Sequence, residues 1–142
     1  MKQINRVVIP IDKSDASKIA VEQGSMLAKL LRVNVSLIFI DDSHQFIASA
    51  ALEDKLRKEH ISSLDEFKKT VELNDVDVKT EVIVGENPAD EIIKYAMDDD
   101  LIVMASHSKK AMERFILGSV SEEVLNRVNC HVMILKPKLN ES

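Results

Sequence analysis

Residues 101–125 read LIVMASHSKKAMERFILGSVSEEVL, and the residue types and order are those of an anion seat. Gly118 and Ser119 stand at the head of a helical pattern, and Ser119-Val120-Ser121-Glu122 has the Ser-x-x-Glu form of a capping box. A helix N-terminus leaves its first N–H groups without partners in the helix, and its dipole favours negative charge. Ahead of it lie His107, Lys109, Lys110 and Arg114, opposed only by Glu113, in a chain of formal net charge -5. Phosphate is the expected ligand here.

Other candidate groups point to binding rather than catalysis. His107 has no nucleophile or orienting partner beside it in the chain, so a general-base role is the lesser reading. His60 falls on an apolar stripe and reads as a packed core or interface histidine. Asp98, Asp99 and Asp100 are consecutive and do not converge on an ion, so a solvated turn is expected. Asp41 and Asp42 end a strand in the right region; surface is the leading reading, with a place on the rim of a site left open. Neither a Walker motif nor zinc-ligand spacing is present, and Cys130 reads as a small buried residue.

These groups need a scaffold, and hydrophobic patterning supplies one. Arg6 to Asp12 (RVVIPID) forms a near-continuous apolar strand of the kind buried on both faces of a parallel sheet, with Pro10 expected to end regular pairing. Ser14 or Asp15 can cap a helix with Ile19, Ala20, Leu27, Ala28 and Leu31 at helical spacing, and Gly24 within it suggests close packing on the sheet. A second strand covers 34–40. A long helix over about 45–73 carries the stripe Leu52, Leu56, His60, Leu64, Phe67 and Val71. Its apolar start, 46–52, reads equally as a flap over a site or as a partner contact. Residues 77–84 alternate, as in a strand nearer an edge. Gly85-Glu86-Asn87-Pro88 then stops one element and starts the next, with Asn87 as N-cap and Pro88 in the first turn. Ile92, Ile93, Ala96 and Met97 give that helix a buried face. The apolar run 101–104 is the fourth strand. A fourth helix with Val120, Val124 and Val128 in line leads to a last strand over 130–135.

The order is βα four times plus a final strand. That predicts an α/β fold: a single open, mostly parallel five-stranded sheet with helices on both faces, in one domain over 1–142. Ligands bind such sheets at the carboxyl ends of the strands, where strand order reverses. Two ends are polar and sharp, Pro10-Ile11-Asp12 and Ala105-Ser106-His107-Ser108. If those strands are neighbours, the crevice between them is the site.

Composition narrows the function classes. The acidic balance, no Trp and one Tyr argue against a nucleic-acid binder. No apolar run approaches the ~20 residues of a membrane span, no secretory signal pattern opens the chain, and one cysteine fits a reducing cytoplasm.

The residues Val8-Ile9-Pro10-Ile11-Asp12, Gly85-Glu86-Asn87-Pro88, Asp100 to His107, Leu117-Gly118-Ser119-Val120-Ser121 and Val132 to Lys136 together resemble the universal stress protein family across almost the whole chain. The resemblance implies a Rossmann-like fold of the adenine-nucleotide alpha-hydrolase kind and a role as a stress-response sensor or switch. The ATP-binding branch carries Gly-x2-Gly-x9-Gly-Ser/Thr. This chain keeps the spacing and the final Gly118-Ser119, with Ala105 and Ser108 in place of the first two glycines. A methyl group at a strand end costs little. A serine where φ must be positive costs on the order of 1 kcal/mol, and its hydroxyl can return a hydrogen bond to phosphate. Weakened or altered ATP binding is therefore expected rather than none.

The resemblance places base and ribose at Pro10, Asp12 and the Ile40 backbone. It places phosphates along Ala105, Ser106, His107, Ser108, Lys109, Gly118, Ser119 and Val120. The ligand would be ATP or another adenine nucleotide, with Mg²⁺ held mainly by phosphate oxygens and water. Where the family has Asp-Gly-Ser, Asp12-Lys13-Ser14 requires Lys13 to turn outward. The resemblance also implies a homodimer through the last strand, His131–Leu135. The sequence offers no residue for activating water, so at most slow hydrolysis is expected. The competing reading is a nucleotide-free dimeric interaction protein of the same fold.

Overall fold

The computed structural model describes residues 3–12, 14–43, 49–106 and 118–136. Within them β1 (Arg6–Ile11), α1 (Asp15–Leu31), β2 (Asn34–Asp41), α2 (Ala50–Leu73), β3 (Val78–Val84), α3 (Pro88–Tyr95), β4 (Asp100–Ala105), α4 (Ser119–Arg127) and β5 (His131–Leu135) alternate along the chain. The strands form one sheet in the order β3-β2-β1-β4-β5, and every pairing is parallel. Strand order reverses between β1 and β4, so the two polar strand ends are neighbours.

Strand alternation divides the core in two. Val7, Ile9 and Ile11 of β1 point to the face covered by Ala20, Val21 and Ala28 of α1 and Leu64 and Val71 of α2. Val8, with Ile38, Ile102 and Met104, points to the other face, under Ala89 and Ile92 of α3 and Val124 of α4. Helices on both faces explain why β1, β2 and β4 are apolar along their length.

The side of α1 that meets the sheet is built from small residues. Ala16, Ser17, Ala20, Val21, Gly24, Ser25 and Ala28 are buried, whereas Ile19 and Leu31, expected in the core, are largely exposed. A Cβ added at Gly24 would lie 2.6 Å from Ile9 Cδ1 and 3.6 Å from Val103 Cγ1, so the helix sits close against β1 and β4. Larger side chains are pushed to the flanks.

Three other expectations change. The helix expected from about residue 45 begins at Ala50, with Ser49 as N-cap accepting from the Leu52 amide at 3.3 Å; residues 44–48 lie outside the described set. Of its stripe His60, Leu64 and Val71 are buried, Leu56 and Phe67 are half-buried, and Leu52 is exposed. α3 ends at Tyr95, which leaves Met97 exposed rather than in the core. Asp100 is not part of a solvated turn. It opens β4, is 1% exposed, and receives Arg6 through Nε at 3.0 Å and Nη2 at 2.7 Å, plus the Met97 amide at 2.8 Å. Arg6 also lies 4.7 Å over the Tyr95 ring, and the Tyr95 hydroxyl donates to Ser36 Oγ at 3.0 Å. The hydrogen bonds to Asp100 raise the Arg6 pKa against the opposing cost of burial.

Pro10 ends pairing on one side only. β1 pairs with β4 from Arg6↔Asp100 to Val8↔Ile102, then the two strands part; its ladder to β2 continues to Ile11↔Phe39. A proline has no N–H to offer, and it falls where the β4 side is already unpaired.

Candidate functional site

The parting of β1 and β4 opens a cavity of about 480 Å³ at their carboxyl ends, within the range of roughly 300–1,000 Å³ typical of small-molecule sites. Every expected site residue that falls in the described set lines it: Pro10 and Asp12 after β1, Ile40 in β2, Ala105 and Ser106 at the end of β4, and Gly118, Ser119 and Val120 at the start of α4. These positions span more than a hundred residues of sequence and meet because of the strand order. His107, Ser108 and Lys109, with Lys13, Lys110 and Arg114, lie outside the described residues.

The turn from β1 to α1 is organised by Asp12. Its Oδ1 accepts from the Ser14 amide at 2.8 Å, from the Ser14 hydroxyl, and from Ser17 Oγ at 2.9 Å. The Asp12 amide donates to Ser17 Oγ at 2.7 Å. Ser14 is the N-cap of α1, as expected, but gives its hydroxyl to Asp12 instead of accepting from the first helical turn. The carboxylate is thereby held at the cavity mouth in one orientation.

At the α4 side the capping box is not formed. Gly118, not Ser119, is the N-cap, and Ser119 is the first helical residue. The Gly118 carbonyl accepts the Glu122 amide at 2.9 Å, so the amides of Ser119, Val120 and Ser121 precede the first intrahelical bond. Gly118 has φ -66° and ψ 158°, ordinary extended backbone, and a Cβ added there would meet nothing within 4 Å. Neither backbone conformation nor packing among the described residues calls for glycine. The missing side chain leaves space in the cavity itself.

The wall is mixed. Ala16, Ala20, Phe39, Pro88, Ile92 and Met104 give an apolar interior, and hydroxyls of Ser14, Ser17, Ser106, Ser119 and Ser121 ring it. Ser106 is buried and donates its amide to the Leu135 carbonyl at 3.1 Å, which ties the β4 end to β5. The charged lining residues among those described are Asp12 and Asp42. Asp42 therefore stands on the rim, the lesser of the two readings given above. Among the described residues no group of three His, Cys, Asp or Glu side chains could hold a metal ion. Cys130 is half-buried rather than buried and is not among the lining residues; burial pushes its pKa up, with the charge of Asp100 adding to the shift.

Sequence reasoning missed the contributions of α1 and α3. Ser14-x-x-Ser17 directly after Asp12 was the available signal for the first, and the Pro88 helix start for the second. The long-range fact that both helices open onto one crevice is visible only with the strand order.

Comparison with known proteins agrees with this fold. The family model for the universal stress protein family matches residues 3–136, and the chain belongs to that family. A universal stress protein of Methanocaldococcus jannaschii, MJ0531, is 33% identical over 144 residues, covering 96% of this chain and 84% of that protein. The solved structure of MJ0577 from the same organism superposes with a TM-score of 0.80 at 29% identity, over 96% of this chain and 99% of that one. A universal stress protein from Archaeoglobus fulgidus in complex with dAMP superposes with a TM-score of 0.72 at 20% identity, over 95% of this chain and 100% of that one, a likeness of fold. Among the described residues no helix is long and apolar enough to cross a membrane.

Proposed function

We propose that this universal stress protein binds an adenine nucleotide in the crevice between β1 and β4 and acts as a nucleotide-responsive sensor or switch in a stress response. The observation that carries the reading is Gly118. It is a glycine at an unstrained helix N-cap, with no described residue within 4 Å of where its side chain would begin, above the α4 amides that precede the first intrahelical bond. Such a position suits a phosphate brought close to the backbone. The dAMP complex of a protein of the same fold supports an adenylate as the ligand class. The base then lies against the apolar interior near Ile40 and Phe39, the ribose near Pro10 and Asp12, and the phosphates at Ser106 and at Gly118 to Val120. His107, Ser108 and Lys109, outside the described residues, are assigned to the phosphates by the resemblance alone.

The Ala105 methyl group lines the cavity without closing it. A triphosphate would bring Mg²⁺ with it, held mainly by phosphate oxygens and water. Calorimetric titration with ATP, ADP and AMP, with and without Mg²⁺, tests the reading. Saturable binding with a rise in melting temperature is expected for at least one of them. No heat and no thermal shift at millimolar nucleotide would remove it.

A second reading, an interaction protein working through a dimer surface, has its own support. β5 pairs with β4 on one side only, it is at the sheet edge, and Met133 on it is 39% exposed. An apolar edge strand is a liability that pairing with a second copy removes. Met133→Lys changes an exposed position, so it should halve the mass seen by light scattering without unfolding the chain. An unchanged dimer mass would place the contact elsewhere.

A further inference from the structure

His60 is a buried titratable group that the site as described does not use. It is 5% exposed, and its ring stacks on Phe39 with centroids 4.3 Å apart and planes 28° apart. Its Nδ1 lies 3.5 Å from Asp41 Oδ2 without hydrogen-bond alignment. Among the described residues it is the only buried side-chain nitrogen or oxygen with no hydrogen-bond partner. Folding does not ordinarily leave such an atom unsatisfied, because its desolvation is then uncompensated.

Both groups that His60 touches belong to the cavity wall or adjoin it. Phe39 lines the cavity, and Asp41 sits between Ile40 and Asp42, which also line it. Asp41 is a fixed point: its Oδ1 accepts from the Ser43 amide at 3.0 Å and hydroxyl at 2.5 Å, and its carbonyl accepts the Gly85 amide at 3.1 Å, which joins the ends of β2 and β3. A small movement of the imidazole toward Asp41 therefore acts on the floor and the rim together.

We propose that His60 is a positioning residue for the base end of the cavity: protonation of the ring to imidazolium, which puts an N–H on both nitrogens, converts its contact with Asp41 into a charge-assisted hydrogen bond and seats Phe39 and the β2 end against the ligand. The inference rests on the adenine-nucleotide reading and adds regulation to it. By reciprocity, a ligand that favours the seated form draws a proton onto His60, and protonated His60 tightens ligand. Affinity thus rises as pH falls.

The surrounding charges agree in sign. Asp41 faces the ring from β2, and Asp42 follows it in the chain. Glu59, next to His60 in α2, shares a surface groove with Asp12 and Glu66. The charged groups that α1 offers on that side of the sheet, Lys18 and Glu22, are exposed to solvent, and β3 presents Val78, Thr80 and Val82 there, with Lys79 and Glu81 on the opposite face.

Adenosine is the probe, because it has no phosphate to titrate. Wild-type protein should bind it about fivefold more tightly at pH 5.5 than at pH 8.0. His60→Phe keeps an aromatic ring on Phe39 and should abolish that ratio. In the wild type, adenosine should also move the midpoint of the His60 ring resonances, followed by NMR, to higher pH; this measurement decides the matter if the variant does not fold. Equal affinity at the two pH values, an unmoved midpoint, or a ratio that persists in His60→Phe overturns the proposal, the last pointing to His44 or His107. Failure of the wild type to bind either adenosine or AMP at any pH removes the nucleotide reading itself, and this inference with it. Binding without pH dependence removes this inference alone.

Discussion

Gly118→Asp should leave the ligand-free protein as stable as the parent, or slightly more so, and lower its affinity for AMP by at least about a hundredfold, or ~2.7 kcal/mol. The two effects have separate causes. Aspartate is among the best N-cap residues, its carboxylate can accept from the first-turn amides, and its charge suits the positive end of the helix. The backbone at Gly118 is extended and no described residue lies within 4 Å of an added Cβ, so the new side chain is expected to fit without strain. It fits, however, in the phosphate position, where it occupies the amides and repels the anion. Thermal melts and calorimetry on the same sample separate stability from binding. AMP affinity within threefold of wild type would mean that phosphate sits elsewhere.

Gly24→Leu should have the opposite profile, a large loss of stability that does not depend on ligand. Even a Cβ there comes within 2.6 Å of Ile9 Cδ1 and 3.2 Å of its Cγ1. Ile9 is fully buried, so its side chain has no solvent to swing into. A leucine must push α1 off β1 and β4 or force Ile9 out of its rotamer. Overpacking of this kind costs typically 1–3 kcal/mol, and here the upper end applies because the contact is with the centre of the sheet. The expected fall in melting temperature is about 10 °C for a chain of this length. Gly24→Ala is the control: its gain in helix propensity, up to ~1 kcal/mol, offsets much of the strain. Urea unfolding of the three proteins tests the order wild type, Ala, Leu. Equal stability of all three would show that Ile9 repacks freely.

Much of this architecture was legible because its signals are local and periodic. The apolar runs at Val7–Ile9, Leu37–Ile38 and Leu101–Val103 are too short for helices and too continuous for half-exposed strands, and the structure buries them on both faces. Asn87 and Pro88 announced the start of α3 and perform that role, with Asn87 Oδ1 accepting from the Asp90 amide at 3.1 Å. Gly24 suggested close packing, and its neighbours in β1 and β4 supply the reason.

The misreadings have a different origin. Ile19, Leu31 and Met97 are apolar residues at roughly helical spacing, but burial depends on which face of a helix meets the sheet and on where the helix stops. Asp100 was grouped with Asp98 and Asp99 because adjacency suggested a common fate. Its partner Arg6 is 94 residues away, and no pattern within the chain announces the pair. Gly118 and Ser119 line the cavity, but the cap register differs by one residue from the expected one, since Ser-x-x-Glu fits two neighbouring starts equally well. The candidate site was readable as two polar strand ends. That they adjoin, and that α1 and α3 complete the wall, follows from strand order.

The β1–β4 ladder is fastened at its amino end and free at the other. Three residue pairs and the Arg6–Asp100 bridge hold the root, while each strand finds its remaining support on its outer neighbour, β2 or β5. The mouth can thus widen or narrow without breaking a single hydrogen bond of the sheet. A scaffold hinged in this way can admit occupants of different bulk through changes in its rim alone, and the sheet that it is built on need not register which one has arrived.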